Sequence, residues 1–198
     1  MKIIHIGRNF KGSGESELEY TIYSKPDSTL LKDSKPFFIP DFVKDLTYEL
    51  NIVYRINRLG KNIAERFAHR YYDAVTVGLS LIDNGMLSEL KANDAPWELS
   101  TGFDGSSVLG KFVLKEDVSA GSLNVKLEID SHTTQRLDSA DMVTSIDAII
   151  ADLSRFYTLK IGDLIFVGAS DDAIGSLRIG QQFKGYIQGE EVLNLKIC

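Results

Sequence analysis

From residue 47 to residue 56 the chain alternates without a break, with Tyr48, Leu50, Ile52, Tyr54 and Ile56 on one face and Thr47, Glu49, Asn51, Val53 and Arg55 on the other. Side chains that switch sides at every residue are the mark of a half-buried strand. Glu49 and Asn51 therefore share a face, and a chain carrying this run must be built around a sheet.

Other segments repeat that grammar. Residues 2–6 are rich in β-branched side chains and stop at Gly7, as a buried first strand does. Residues 73–81 and 164–167 read as further strands. Val125, Leu127 and Ile129 alternate up to the Asp130-Ser131 turn, and 183–187 pairs with 192–197 across Gly189-Glu190. Two helices interrupt the strands. One is short, over 62–72, with Ile63, Phe67 and Tyr71 at helical spacing. The other, over 145–157, carries the apolar stripe Ile146, Ile149, Ile150, Leu153 and Phe156 behind Thr144 and Asp147, which imitate a capping box. Asp83-Asn84-Gly85 reads as a break. The expected class is α+β with more strand than helix.

The 198 residues are enough for one substantial core, and no linker-like tract divides them, so a single domain over 1–198 is expected. Net charge is -6, which opposes nucleic acid or an anionic membrane as a partner. The one cysteine, Cys198, excludes an intrachain disulfide and a cysteine-rich zinc site. Residues 1–7 are apolar for too short a run before Arg8 to act as a signal peptide, and no later apolar run spans a bilayer. A soluble cytoplasmic protein is the expectation. The segment from Lys11 to Glu17 lacks the Lys-Ser/Thr ending of a phosphate loop and carries acids, so it reads as a surface loop.

A set of strings in fixed order carries a family likeness: Ile6-Gly7-Arg8-Asn9-Phe10, Lys25-Pro26-Asp27-Ser28, Tyr48-Glu49-Leu50, Arg58-Leu59-Gly60-Lys61-Asn62-Ile63, Phe67-Ala68-His69-Arg70-Tyr71-Tyr72-Asp73, Gly102-Phe103-Asp104-Gly105-Ser106, Ala140-Asp141-Met142, and the stretch from Ser154 to Asp163. In these the chain resembles the short, single-domain type of the fumarylacetoacetate hydrolase family. The resemblance implies layered, rolled β-sheets with a few helices, a homodimer, and action on 2-oxo acids such as acylpyruvates and oxaloacetate. It also implies Mg²⁺ or Mn²⁺ held by a Glu-x-Glu and a later Asp, chelating the substrate's 2-oxo and carboxylate oxygens.

At those positions this sequence has Glu49, Asn51 and Ser80. The resemblance thus leaves one charged metal ligand, Glu49, as a vestige. Losing two anionic ligands costs affinity by at least roughly 10²- to 10⁴-fold, so no cofactor is expected, with Mg²⁺ or Mn²⁺ reserved for a site that still functions. The family's Arg, Asp and Gln after the metal Asp are lost around Asn84. Its lysine before Phe-Asp-Gly-Ser is Thr101, and its Thr-Gly-Thr-Pro loop is Val167-Gly168-Ala169-Ser170. The His and Glu that serve as base and partner after the Arg-Asn motif have no counterpart beyond Phe10.

Candidate catalytic residues are Glu49 and Asp104. Candidate pocket residues are Asn51, Ser80, Asn84, Thr101, Gln135, Gly168 and Ser170. Each has a plainer reading: Glu49 as a polar residue on a strand's open face, Asp104 as a turn cap, Asp141 as an acid before a helix, Asp171-Asp172 as a solvated turn. His5, His69 and His132 fall on separate elements and read as structural. No Gly-x-Ser-x-Gly elbow supports a serine hydrolase. Two functions follow. One is a non-catalytic member that binds a small anion, such as a 2-oxo acid, or serves as a dimeric partner. The other is a rebuilt, metal-independent tautomerase or isomerase on acylpyruvate-like 2-oxo acids, with Glu49, Asp83 or Asp104 as base.

Overall fold

The structure, a computed structural model, describes residues 1–11, 20–32, 35–118, 121–168 and 175–198. The strands are β1 (Ile3–Gly7), β2 (Thr21–Lys25), β3 (Leu30–Leu31), β4 (Leu46–Ile56), β5 (Tyr72–Asp83), β6 (Ser107–Leu109), β7 (Val113–Leu114), β8 (Asn124–Ile129), β9 (His132–Asp138), β10 (Leu164–Gly168), β11 (Gly175–Ser176), β12 (Gln182–Ile187) and β13 (Glu190–Lys196). The helices are α1 (Glu65–Ala68), α2 (Asn84–Ala92), α3 (Glu98–Thr101) and α4 (Ile146–Phe156). Strand outweighs helix, and the class is α+β as the alternation requires.

A large mixed sheet runs in the order β2-β1-β10-β4-β5-β6-β3, with β11 added to β4 and β7 to β5. Among the described strands of this sheet, only β1 with β10 and β3 with β6 are parallel. A second, antiparallel sheet runs β13-β12-β8-β9. The turn expected at Asp130-Ser131 forms there, and the one expected at Gly189-Glu190 forms one residue earlier, at Gln188-Gly189; all four turn residues have positive φ, the backbone that matches the twist of paired strands.

The apolar faces of β4 and β5 pack on the second sheet and on α4. Leu50, Ile52, Leu79 and Leu127 are fully buried there, with Ile149, Ile150 and Leu153 from the helix in the same cluster. Each such side chain contributes about 1.5–3 kcal/mol relative to exposure. Tyr48 and Phe183 meet edge to face at 5.0 Å and join the two layers.

Residues 47–56 were expected to form a half-buried strand, yet β4 is buried on both faces. The large sheet curls, and its concave face encloses a smaller cluster of Ile3, Val53, Leu109, Leu164 and Phe166. The face carrying Glu49 and Asn51 thus lines an interior.

Three local expectations also change. Over 62–72 only one turn, α1, is helical, because Asn62 sits at positive φ and its N–H is held by the Ser154 carbonyl. Asp83-Asn84-Gly85 starts a helix instead of ending order, since Asp83 caps α2 by accepting from the Met86 N–H at 3.2 Å. The cap of α4 is Ser145, whose Oγ accepts from the Ala148 N–H, while the Thr144 N–H is taken by Asn9. Phe156, assigned to the buried stripe, is 65% exposed at the helix end. The segment from Lys11 to Glu17 lies almost wholly outside the described residues. No described helix is long and apolar enough to cross a membrane.

Candidate active site

Strand register assembles the site. Glu49 stands opposite Ser80 and Asn51 opposite Gly78 across β4 and β5, while Gly168 on β10 stands opposite Asn51. On the other arm of the sheet Tyr23 is opposite His5, and His5 is opposite Phe166. The curl brings the two arms together: Lys25 on β2 donates to Ser80 Oγ on β5 at 2.9 Å, to the Ser106 carbonyl at 3.1 Å and to the Leu81 carbonyl at 3.4 Å. Tyr23 Oη lies 3.5 Å from the same Ser80 Oγ.

A cavity of about 290 Å³ opens at this end of the interior, lined in part by Arg8, Tyr23, Glu49, Leu87, Lys91, Trp97 and Thr101. Trp97 meets Tyr23 edge to face at 5.4 Å. The His5 ring is sandwiched between Tyr23 at 5.0 Å and Phe166 at 4.5 Å, with neither ring nitrogen hydrogen-bonded.

Burial dominates the electrostatics. It pushes the Lys25 ammonium down to about 7, with the negative charge of Glu49 acting in the opposite direction. Burial also holds His5 well below the usual imidazole range, and the neighbouring Lys25 charge adds to it. The Tyr23 phenol is raised by burial and by Glu49, so it stays a hydrogen-bond donor at any physiological pH.

The structure sorts the residues singled out in sequence. Glu49 reaches the cavity, as does Thr101, whose hydroxyl donates to the Glu98 carbonyl at 3.3 Å. Ser80 is buried behind Tyr23 and Lys25. Asn51 is buried too, with its amide turned onto the Glu49 carbonyl at 2.9 Å. A methyl group at Gly168 would meet the Glu49 carboxylate, the flexible end of that side chain, and displace it. Gly168→Ala is therefore expected to move Glu49 within the cavity at a stability cost of no more than about 1 kcal/mol, measured as a small drop in urea midpoint.

Others fall away from the cavity. Asn84 is the exposed first residue of α2, and the helix instead turns Leu87 and Lys91 inward. Asp83 is turned away: besides Met86 it accepts from the Lys44 and Asp45 N–H groups, both at 3.2 Å, and it does not line the cavity. Asp104 lies on an exposed turn and does not line the cavity. Gln135 staples the two sheets by accepting from the Leu50 N–H at 3.2 Å, and it does not line the cavity either. Ser170 lies outside the described residues. Among the described residues no three His, Cys, Asp or Glu side chains come together as a metal-binding group.

Sequence reasoning missed Tyr23, Lys25 as a site residue, Lys91 and Trp97. The available signal was the alternation of Thr21, Tyr23 and Lys25, which puts the last two on one face of a strand.

The family model for the fumarylacetoacetate hydrolase C-terminal region matches residues 2–195. The chain belongs to the fumarylacetoacetate hydrolase family. It is 27% identical over 197 residues to a mitochondrial oxaloacetate tautomerase of Arabidopsis thaliana, covering 95% of this chain and 86% of the relative. A fumarylpyruvate hydrolase of a Ralstonia species is 24% identical over 175 residues, covering 88% of this chain and 91% of the relative. Among solved structures, a fumarylacetoacetate hydrolase family protein from Yersinia pestis CO92 superposes with a TM-score of 0.89 at 26% identity, over 100% of this chain and 92% of the other. A Pseudomonas aeruginosa fumarylpyruvate hydrolase in complex with Mn²⁺ and pyruvate gives 0.89 at 22% identity, over 100% and 89%, which speaks to the fold alone. The rolled, layered sheets of this chain are the family's fold.

Proposed function

We propose that this fumarylacetoacetate hydrolase family protein binds a small organic anion, such as a 2-oxo acid, in the cavity beside Glu49, and that it lacks the family's usual Mg²⁺- or Mn²⁺-dependent hydrolysis or decarboxylation. The observation that carries this reading is the donor set on β4 and β5. A hard divalent ion takes oxygen ligands and favours carboxylates. Here one carboxylate, Glu49, stands beside an amide committed to the backbone, Asn51, and a hydroxyl already bonded to the Lys25 ammonium, Ser80. Below about pH 7, where Lys25 holds its proton, its charge at that hydroxyl also repels a second cation. These residues do not fit Mg²⁺ or Mn²⁺.

The cavity fits an anion better. Among the described lining residues Arg8 and Lys91 are basic and Glu49 is acidic, and Lys25 lies behind the wall. Tyr23 Oη supplies a donor that does not ionise. After treatment with EDTA, assays with oxaloacetate or an acylpyruvate are expected to show no turnover restored by Mn²⁺. Metal-dependent turnover at ordinary enzyme rates, roughly 1–10³ s⁻¹, contradicts the proposal.

A second reading is a metal-independent tautomerase or isomerase with Glu49 as base. It is favoured by the place of Glu49 in the cavity wall and by the oxaloacetate tautomerases among the relatives. EDTA-resistant conversion that Glu49→Gln abolishes distinguishes it from a binding protein.

A further inference from the structure

Lys25 carries a charge that its contacts do not neutralise. Its ammonium has three hydrogens, and three oxygens take them: Ser80 Oγ, the Ser106 carbonyl and the Leu81 carbonyl. All three are uncharged. Burying an ammonium without a contacting anion is costly, and a fold that does so leaves positive potential in the space beside it.

That space is the cavity. Ser80 Oγ accepts from Lys25 and so has its own hydrogen to give. The hydroxyl within reach is Tyr23 Oη at 3.5 Å, and Tyr23 is part of the cavity wall. A hydroxyl that accepts from a cation becomes a stronger donor, and chains of such bonds polarise one another. The Tyr23 ring is held in place by the His5 ring stacked on it, itself backed by Phe166.

We propose that Lys25 is the positioning cation of this cavity: it orients and polarises the Ser80 hydroxyl, which donates to Tyr23 Oη, so that the Tyr23 hydroxyl, instead of a divalent ion, holds the carboxylate of a small 2-oxo monocarboxylate. This rests on the metal-independent anion-binding reading above. Arg8 and Lys91 add positive charge elsewhere on the wall.

The test is calorimetric titration with pyruvate in EDTA at pH 6.5. Native protein is expected to bind. Lys25→Met, which keeps an unbranched stem of similar length, is expected to weaken binding roughly 10-fold or more, the scale of a lost hydrogen bond to a charged group. Tyr23→Phe, which keeps the ring stacked on His5, should weaken it comparably, and this variant carries the test if Lys25→Met fails to fold. In Lys25→Ala, added methylammonium should restore pyruvate affinity, a rescue that a purely packing role does not give. Native-like affinity in folded Lys25→Met, or in Tyr23→Phe, overturns the role of Lys25 and leaves the anion-binding reading standing. Binding that appears only when Mn²⁺ is added overturns that underlying reading. No binding with or without Mn²⁺ overturns the assignment of a 2-oxo monocarboxylate.

Discussion

Between about pH 7 and pH 9 the unfolding free energy of the native protein is expected to rise by about 1 kcal/mol per pH unit, and Lys25→Met should flatten that slope. In the folded chain the Lys25 ammonium titrates at about 7, against an ordinary 10.5. Across the window between those values the unfolded state holds the proton and the folded state has released it. Stability therefore increases with pH, because the unfolded state binds more protons. Below about 7 both states are charged, the slope from this group vanishes, and the full cost of the buried cation remains. His5 adds a contribution of the same sign at lower pH, since its folded imidazole also titrates below the ordinary range. Denaturant unfolding of native and Lys25→Met at each pH measures this directly. A native profile that is flat or falling from pH 7 to 9 contradicts the buried charge.

How much of this was legible in the sequence depends on the range of the interaction. The alternation at 47–56 fixes a strand and the shared face of Glu49 and Asn51, since it is a local property of the backbone. The hairpin at Asp130-Ser131 was legible for the same reason. Burial of both faces of β4 was not, because it arises from the curl that folds β1, β2 and β10 over the face carrying Glu49. Asp83-Asn84-Gly85 has the composition of a turn and of a helix start alike. The choice is made by the N–H groups of Lys44 and Asp45, which hold Asp83 from a segment nearly forty residues away in sequence.

The site follows the same division. Family order located Glu49, Asn51, Ser80 and Thr101, and the strand register confirms that Glu49 and Ser80 face each other. Asp104 and Gln135 fit family positions but not this cavity, as proximity in a pattern does not specify where a side chain ends. The Lys25 bond to Ser80 joins strands 55 residues apart and closes the curl, so nothing local announces it. Lys91 became visible only once α2 was known to begin at Asn84, which turns Leu87 and Lys91, one helical turn apart, toward the cavity.

The second large effect concerns metal. A ligand present at 100 times its Kd adds about 2.7 kcal/mol to stability, which for a chain of this size is roughly 5–10 °C in melting temperature. The donor set of Glu49, Asn51 and Ser80, with Lys25 bonded to Ser80, predicts no such shift for the native protein. The triple variant Asn51→Glu, Ser80→Asp, Thr101→Lys restores the acids at the two strand positions and a cation at the third. Its new Asp at position 80 also gives Lys25 a contacting anion.

Thermal melting of the native chain and of this triple variant, each titrated with Mn²⁺ after EDTA treatment, tests the central claim most directly. The expected result is a native melting temperature that does not respond to Mn²⁺, beside a variant that gains roughly 5–10 °C at saturation. A native chain stabilised by Mn²⁺ to the same degree as the variant contradicts the account.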